Sequence, residues 1–189
     1  ERTENLAKDD PHIKCWPDHF LRAYGMPHLL KFLHSQNLLV MLNEMNAGYR
    51  QVFIDGRPLP KELNPTLQGY STAKWSGDTL VVDSIGFRND TWIDWNGSVI
   101  NEGAKVQERI RRPDYGHLEI EVTVDDPKAY TRPWTVTLRA PVLAEHPTDP
   151  SFRDLFMPQA PPDGFHRPTA TLGAGQLSCA TRACGRAAS

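Results

Sequence analysis

Three carboxylates and one guanidinium fall where charge is expensive. In the segment 104–112, Glu108 shares strand parity with Ala104, Val106 and Ile110. In 79–87, Asp83 keeps step with Val81, Ile85 and Phe87, and in 38–45 Glu44 keeps step with Leu38, Val40 and Leu42. Arg50 alternates with Val52 and Ile54 in 49–55. Side chains of a strand alternate between its two faces, so these four are expected to project among apolar neighbours. Isolated ions do not persist there: they pair, hydrogen-bond, bind a cation or change protonation state. A buried carboxyl with a raised pKa suits general acid or base work near neutral pH. The expectation is therefore an acid–base pair of Glu108 with Asp83 or Glu44, with Arg50 stabilising developing negative charge. The competing expectation is an ion-pair network that fixes strand register, or a solvated rim position for Glu44 or Asp83. Segment 38–45 is apolar on both parities, which leaves the face of Glu44 open.

Aromatic residues supply the candidate ligand contacts. Trp75, Trp92, Trp95, Trp134 and Phe87 are expected to line a site for a small, partly aromatic molecule, with core packing as the alternative. Trp92-Ile93-Asp94-Trp95 sits in the long loop 88–103, where exposed rings would gate a cavity mouth. Of the seven histidines, none shows a His-x-x-x-His spacing, and the three cysteines form no Cys-x-x-Cys or Cys/His zinc pattern. A divalent metal held by His34 with Glu44 and Glu108 is the weak metal candidate, and no cofactor is expected. No Gly-x-Ser-x-Gly elbow or glycine-rich phosphate loop occurs.

The elements that must position these residues read as strands. Short alternating segments rich in β-branched and aromatic types occupy 30–35, 38–45, 49–55, 71–76, 79–87, 104–112, 117–125 and 134–140. Ser76-Gly77-Asp78 and Asp114-Tyr115-Gly116 read as hairpin turns, and helix is expected only near Asp18–Tyr24 or Phe152–Phe156. Strands joined in sequence suggest an all-β, antiparallel up-and-down barrel of lipocalin or calycin type, with a two-sheet sandwich as the alternative. The chain divides into an irregular segment 1–30, a barrel domain 31–140, a Pro-rich arm 141–172 holding seven of the 16 prolines, and a tail 173–189. That tail is mostly small residues with Arg and Cys and is expected to be vector-derived.

Composition narrows the partners. With 39% apolar and 23% charged residues and a net charge of −2, the chain shows neither the basic excess of a nucleic-acid binder nor an apolar run long enough to span a membrane. The expected partner is a small molecule.

Four stretches carry a resemblance: Phe53-Ile54-Asp55-Gly56-Arg57-Pro58, Trp75 through Asp83, Thr91-Trp92-Ile93-Asp94, and Asp125 through Trp134. Over about residues 5–140 the chain resembles an uncharacterised group of secreted bacterial proteins, frequent in soil and metagenomic sequence, that is similar in outline to lipocalins. The resemblance implies a calycin-like barrel, a secreted or periplasmic address and a native start upstream of Glu1. It implies no chemistry. The family pattern departs at Val99-Ile100-Asn101 and is lost after residue 145, which puts in doubt a disulfide from Cys15 to a downstream cysteine.

The functional expectation is a small-molecule enzyme, in its most concrete form a hydrolase of activated esters, using the buried carboxylates. Isomerisation or elimination is equally compatible. The alternatives are a secreted carrier for a small apolar or aromatic ligand, and a structural domain with a filled interior.

Overall fold

Alternation of apolar and polar residues, broken by turn residues, places a strand in each of the eight segments that the sequence marks. A computed structural model describes residues 6–26, 28–44 and 48–142. These lie in the unit Glu1–Pro158; the second unit, Gln159–Ser189, falls outside them, as do the possible helix at Phe152–Phe156 and the tail. The strands are β1 (Leu30–Ser35), β2 (Leu38–Asn43), β3 (Tyr49–Phe53), β4 (Tyr70–Ser76), β5 (Thr79–Ile85), β6 (Lys105–Asp114), β7 (His117–Asp125) and β8 (Trp134–Pro141). Ahead of them come α1 (Leu6–Asp9), a 3-10 turn (Pro11–Lys14) and α2 (Phe20–Tyr24).

The eight strands form one sheet in sequence order, but not the expected barrel. All neighbours are antiparallel except β3 and β4, which pair parallel through Val52↔Ser71 and Phe53↔Thr72. The sheet curls through 220° and stays open, its edges 10 Å apart. This corrects both the up-and-down antiparallel topology and the closed lipocalin or calycin-type barrel. The cause lies in the link 54–69, which carries Pro58, Pro60 and Pro65. A parallel neighbour needs a crossover of a dozen or more residues, and this link is long enough to supply one. One parallel step reverses the sense of every later strand. β8 therefore runs in the same direction as β1, and hairpin-like antiparallel closure between them is not possible.

The core sits on one face of the sheet. Leu39 and Met41 of β2, Val52 of β3, Leu80 and Val82 of β5, Val106 and Ile110 of β6, and Ile120 and Val122 of β7 are all buried there. Their alternation is clearest in β6, with exposed neighbours, and in β7, with half-buried ones, as the sequence predicts. The inner face is covered from the N-terminal side by Phe20 of α2, with Leu21 and Tyr24 packed against the core, and from the loop 88–103 by Ile93 and Ile100. The loop is thus part of the core instead of a mobile gate. Asp94 holds its tip by accepting from the backbone N–H of Asn96 and Ser98. At its far end, the buried carboxylate of Asp126 accepts from the backbone and side-chain amides of Asn101.

Gly69 marks the return from the crossover into β4. It has φ +65°, and a Cβ there would stand 2.5 Å from Phe87 Cε1 and 2.7 Å from the Ile85 carbonyl oxygen. Phe87 is fully buried and cannot retreat. Gly69→Ala is expected to destabilise the fold by about 2–4 kcal/mol, combining backbone strain with overpacking. Urea denaturation checks this, and an unchanged midpoint would show that the crossover geometry is wrong.

Candidate functional site

Five elements converge on one buried polar cluster. β3 brings Arg50, β6 brings Glu108, β4 and β5 bring Ser71 and Ser84, and α2 brings Tyr24 and Phe20. The placement follows from register: Val82 pairs with Glu108 and Ser71 with Ser84, so the two hydroxyls and the carboxylate share the inner face with Arg50. Arg50 is 3% exposed and Glu108 fully buried. The guanidinium meets the carboxylate in a two-pronged contact: Nη1 donates to Oε1 at 3.0 Å, and Nη2 makes a short contact with Oε2. Nε donates to Ser71 Oγ at 3.1 Å, Nη2 also to Ser84 Oγ at 2.8 Å, and Nη1 also to Tyr24 Oη at 3.3 Å. All five guanidinium protons therefore have acceptors. Tyr24 completes the ring by donating to Glu108 Oε1 at 2.6 Å. The Phe20 ring lies 3.6 Å from the guanidinium carbon and caps it from above.

The electrostatics match this closed arrangement. Burial, then the negative charge of Glu108, raises the Tyr24 phenol well above its usual 10. Burial alone would draw the Arg50 proton off, but Glu108 and Tyr24 more than compensate and hold it above its ordinary value. Next to the cluster is a cavity of about 20 Å³, bordered by Phe20, Tyr24, Met41, Arg50 and Gln68. That is room for about one water. It is not room for a substrate.

A second network anchors the N-terminal segment. Arg22 is 2% exposed and makes a forked contact with Asp10, both arms 2.7 Å, while Nε stands 3.3 Å from Asp18 Oδ1. His12 Nδ1 lies 2.8 Å from Asp18 Oδ2, and the Trp95 ring packs 4.0 Å from the Arg22 guanidinium carbon. Burial works against the Asp10 charge, but the Arg22 hydrogen bonds and charge, with the His12 amide, leave its pKa below the usual value. Gln68 ties this segment to the crossover, donating to the Asp18 carbonyl and accepting from the Phe20 N–H.

The sequence-expected residues are not brought together. Arg50 and Glu108 meet, but as an ion pair. Asp83 is on the opposite face of β5, half-buried, accepting from Gln107 Nε2 at 2.9 Å. β5 is apolar on both parities, and its inner set is Leu80, Val82 and Ser84, so the parity reading chose the wrong face. Glu44 is exposed just past β2, where it accepts from the Leu29 N–H. Its strand too is apolar on both faces, and the inner set is Leu39 and Met41. Among the described residues no three His, Cys, Asp or Glu side chains could hold a metal, and His34 on β1 joins neither Glu44 nor Glu108 in such a group.

The aromatic candidates scatter. Phe87 is fully buried and Trp92 6% exposed, both packed into the fold. Trp134 is half-buried at the edge strand against Tyr130, while Trp75 and Trp95 are each 43% exposed. Sequence reasoning missed Tyr24, Phe20, Ser71, Ser84 and His19. Ser71 and Ser84 gave a faint signal, as polar residues in step with apolar ones on their strands.

A surface cleft of about 310 Å³ lies away from the ion pair, between the Pro11–Lys14 turn and the chain at 89–92. It is bordered by Asp9, Lys14, Trp16, Asn89, Asp90 and Trp92. Arg88 pairs with Asp90 and stacks 4.9 Å from the Trp16 ring, which fixes two of these walls.

Two predictions follow from the buried groups. Glu108→Gln should cost about 3–5 kcal/mol, because it leaves Arg50 charged and buried without its counter-ion. The double variant Arg50→Met, Glu108→Leu should lose less than either single change, and urea denaturation of the three variants checks the order. His19 is fully buried, accepts from the Leu21 N–H through Nδ1, and has no partner at Nε2 among the described residues. Burial, and secondly the Arg50 charge, lower its pKa to about 3. The unfolded chain takes up this proton near its ordinary 6.5 and the folded chain does not. Stability is therefore full above that pH and is lost on acidification, by about 1.4 kcal/mol per pH unit down toward the folded value. The depressed carboxyls Asp10, Asp55 and Asp114 act only below their ordinary 3.8. His19→Asn, which keeps the helix cap but does not titrate, should flatten the slope between about pH 6 and about pH 4. A slope of the same steepness in that variant would assign the acid sensitivity elsewhere.

No family model, curated protein or solved structure matches the chain. The resemblance to secreted lipocalin-like proteins is thus not supported, and the open sheet contradicts the barrel it implied. The secretory address rested on that resemblance and loses its basis with it.

Proposed function

We propose that this protein is a non-catalytic binding domain whose ligand is a small hydroxylated ring held in the cleft between the Pro11–Lys14 turn and residues 89–92. The observation that carries this reading is the cleft and its lining. Its volume of about 310 Å³ falls at the lower end of small-molecule sites. Its border mixes the exposed indole of Trp16 and an edge of the buried Trp92 with the carboxylates of Asp9 and Asp90, the Asn89 amide and the Lys14 ammonium. Carboxylates accept from hydroxyls, the amide and ammonium donate to them, and the C–H side of a ring suits an indole.

The enzyme reading has no comparable support. A general base needs a lone pair within reach of a substrate. Both Glu108 oxygens are engaged, and the space beside them takes about one water. A carrier of apolar ligands would need a hollow interior, and Phe20, Phe87 and Ile100 pack into the core instead.

Isothermal titration of the 189-residue chain with cellobiose, and separately with methyl glucoside, tests the proposal. Saturable binding in the millimolar range is expected for one of them, weakened about tenfold by Trp16→Ala with no change in melting temperature. No heat from either sugar, or an affinity indifferent to Trp16→Ala, would remove the cleft from consideration. Hydrolysis of p-nitrophenyl acetate that disappears in a folded Glu108→Gln variant would restore the enzyme reading.

A further inference from the structure

The cleft has its walls on two bodies. One wall, the Pro11–Lys14 turn with Asp9 and Trp16, belongs to the N-terminal segment 6–26. The other, Asn89, Asp90 and Trp92, belongs to the chain that leaves β5. The segment is braced within itself. Arg22 of α2 forks onto Asp10, Asp10 caps the turn by accepting from the His12 N–H, and His12 reaches Asp18. Turn and helix therefore move as one piece. The opposite wall is fixed independently, by the Arg88 N–H donating to the Thr66 carbonyl and by the bridge between Trp92 and Val99.

His19 stands at the joint between them. Its ring stacks on Phe20 of the segment at 4.4 Å and meets Phe87, just ahead of the opposite wall, edge-on at 5.3 Å. Nδ1 caps α2 by accepting from the Leu21 N–H at 3.2 Å, so the proton of the neutral ring is on Nε2, which has no partner among the described residues. A second proton can go only onto Nδ1. There it turns an acceptor into a donor aimed at another donor, removes the helix cap and leaves a cation in a fully buried position.

Among the described residues no carboxylate pairs with that ring. From β3 the Arg50 charge repels a proton there, and Glu108 of β6 is committed to Arg50. On its own segment, Asp18 is engaged by His12 and Arg22, and the Tyr24 hydroxyl donates to Glu108. Beyond Phe87, Arg88 and Asp90 pair with each other at the surface. The ring takes its proton near its ordinary 6.5 when the segment is off the sheet and only at about 3 when it is on. Acidification to about pH 4.5 therefore shifts the balance toward release about a hundredfold. His12 works in the opposite sense, since its protonated ring is drawn to Asp18.

We propose that His19 is an acid-operated latch: its protonation frees the segment 6–26 from the sheet while the eight strands stay paired, and so parts the two walls of the cleft. The ladders from β1 to β8 contain no residue of the segment, so its departure does not undo them. Release also hydrates the central ion pair without breaking it. Arg50 keeps Glu108, Ser71 and Ser84 as partners when Phe20 and Tyr24 leave. That a bound molecule is let go with the wall rests on the reading of the cleft as a site for a hydroxylated ring; the latch itself does not.

Hydrogen exchange of the full chain at about pH 7 and about pH 4.5, corrected for the intrinsic rate, tests the latch. The Leu21 and Ala23 amides, bonded to the His19 ring and carbonyl, should be less protected than those of β6 and β7 at both values. Their protection should fall about a hundredfold on acidification, and the fall should largely disappear in His19→Asn. Nuclear magnetic resonance of the imidazole gives a reading that needs no variant: the neutral ring should carry its proton on Nε2. Cellobiose or methyl glucoside, whichever binds, separates the latch from the cleft reading. At ten times its dissociation constant, at about pH 4.5, it should raise the protection of the segment about tenfold. Silence from both sugars counts against the cleft reading alone, and the exchange and resonance measurements still decide the latch. Equal protection of segment and sheet at both pH values would show that they open together and would overturn the proposal. So would an Nδ1-protonated neutral ring, an undiminished fall in a folded His19→Asn chain, or a bound sugar that leaves the segment's exchange unchanged.

Discussion

The contact between Arg50 and Glu108 sets the terms for everything around it. Two full charges lie in the apolar centre of a curved sheet, where each alone would cost several kcal/mol to desolvate. They are tolerable only because the fold surrounds them with partners. Ser71 and Ser84 must stand side by side on β4 and β5, Tyr24 must reach across from α2, and Phe20 must lie over the guanidinium. A slip of one residue in β3, β5 or β6 would turn Arg50, Ser84 or Glu108 to the other face and leave its partner unanswered. The pair thereby specifies the register of the central strands, a task for which an apolar core is less discriminating.

The position of the parallel step explains how an apparently simple string of strands becomes an open sheet. Each strand was legible because alternation and turn residues are local signals. The turns at Gly77 and at Tyr115-Gly116 fall where the sequence puts them. Closure is not local. It depends on the sense of β4 relative to β3, and the only trace of that in the chain is the length and proline content of 54–69.

The charged residues show the same division between what pattern can and cannot say. Arg50 and Glu108 sit on strands with one apolar parity, and both face inward as alternation predicts. Asp83 and Glu44 sit on segments that are apolar on both parities, where period two carries no information about which face is which. Tyr24 ends a helix of five residues and His19 caps its start; the helix is too short to show a period of its own, so their roles emerge only from what α2 packs against.

The helix α2 also has a bearing on where the fold can be divided. Residues 1–30 read as an irregular polar segment, yet Phe20 and Ala23 are buried and Tyr24 closes the ion pair. Trimming the protein back to its first strand would unroof two formal charges and let water into the middle of the sheet. The N-terminal stretch behaves as the lid of the vessel, cast together with its walls, and any minimal fragment of this protein must begin ahead of it.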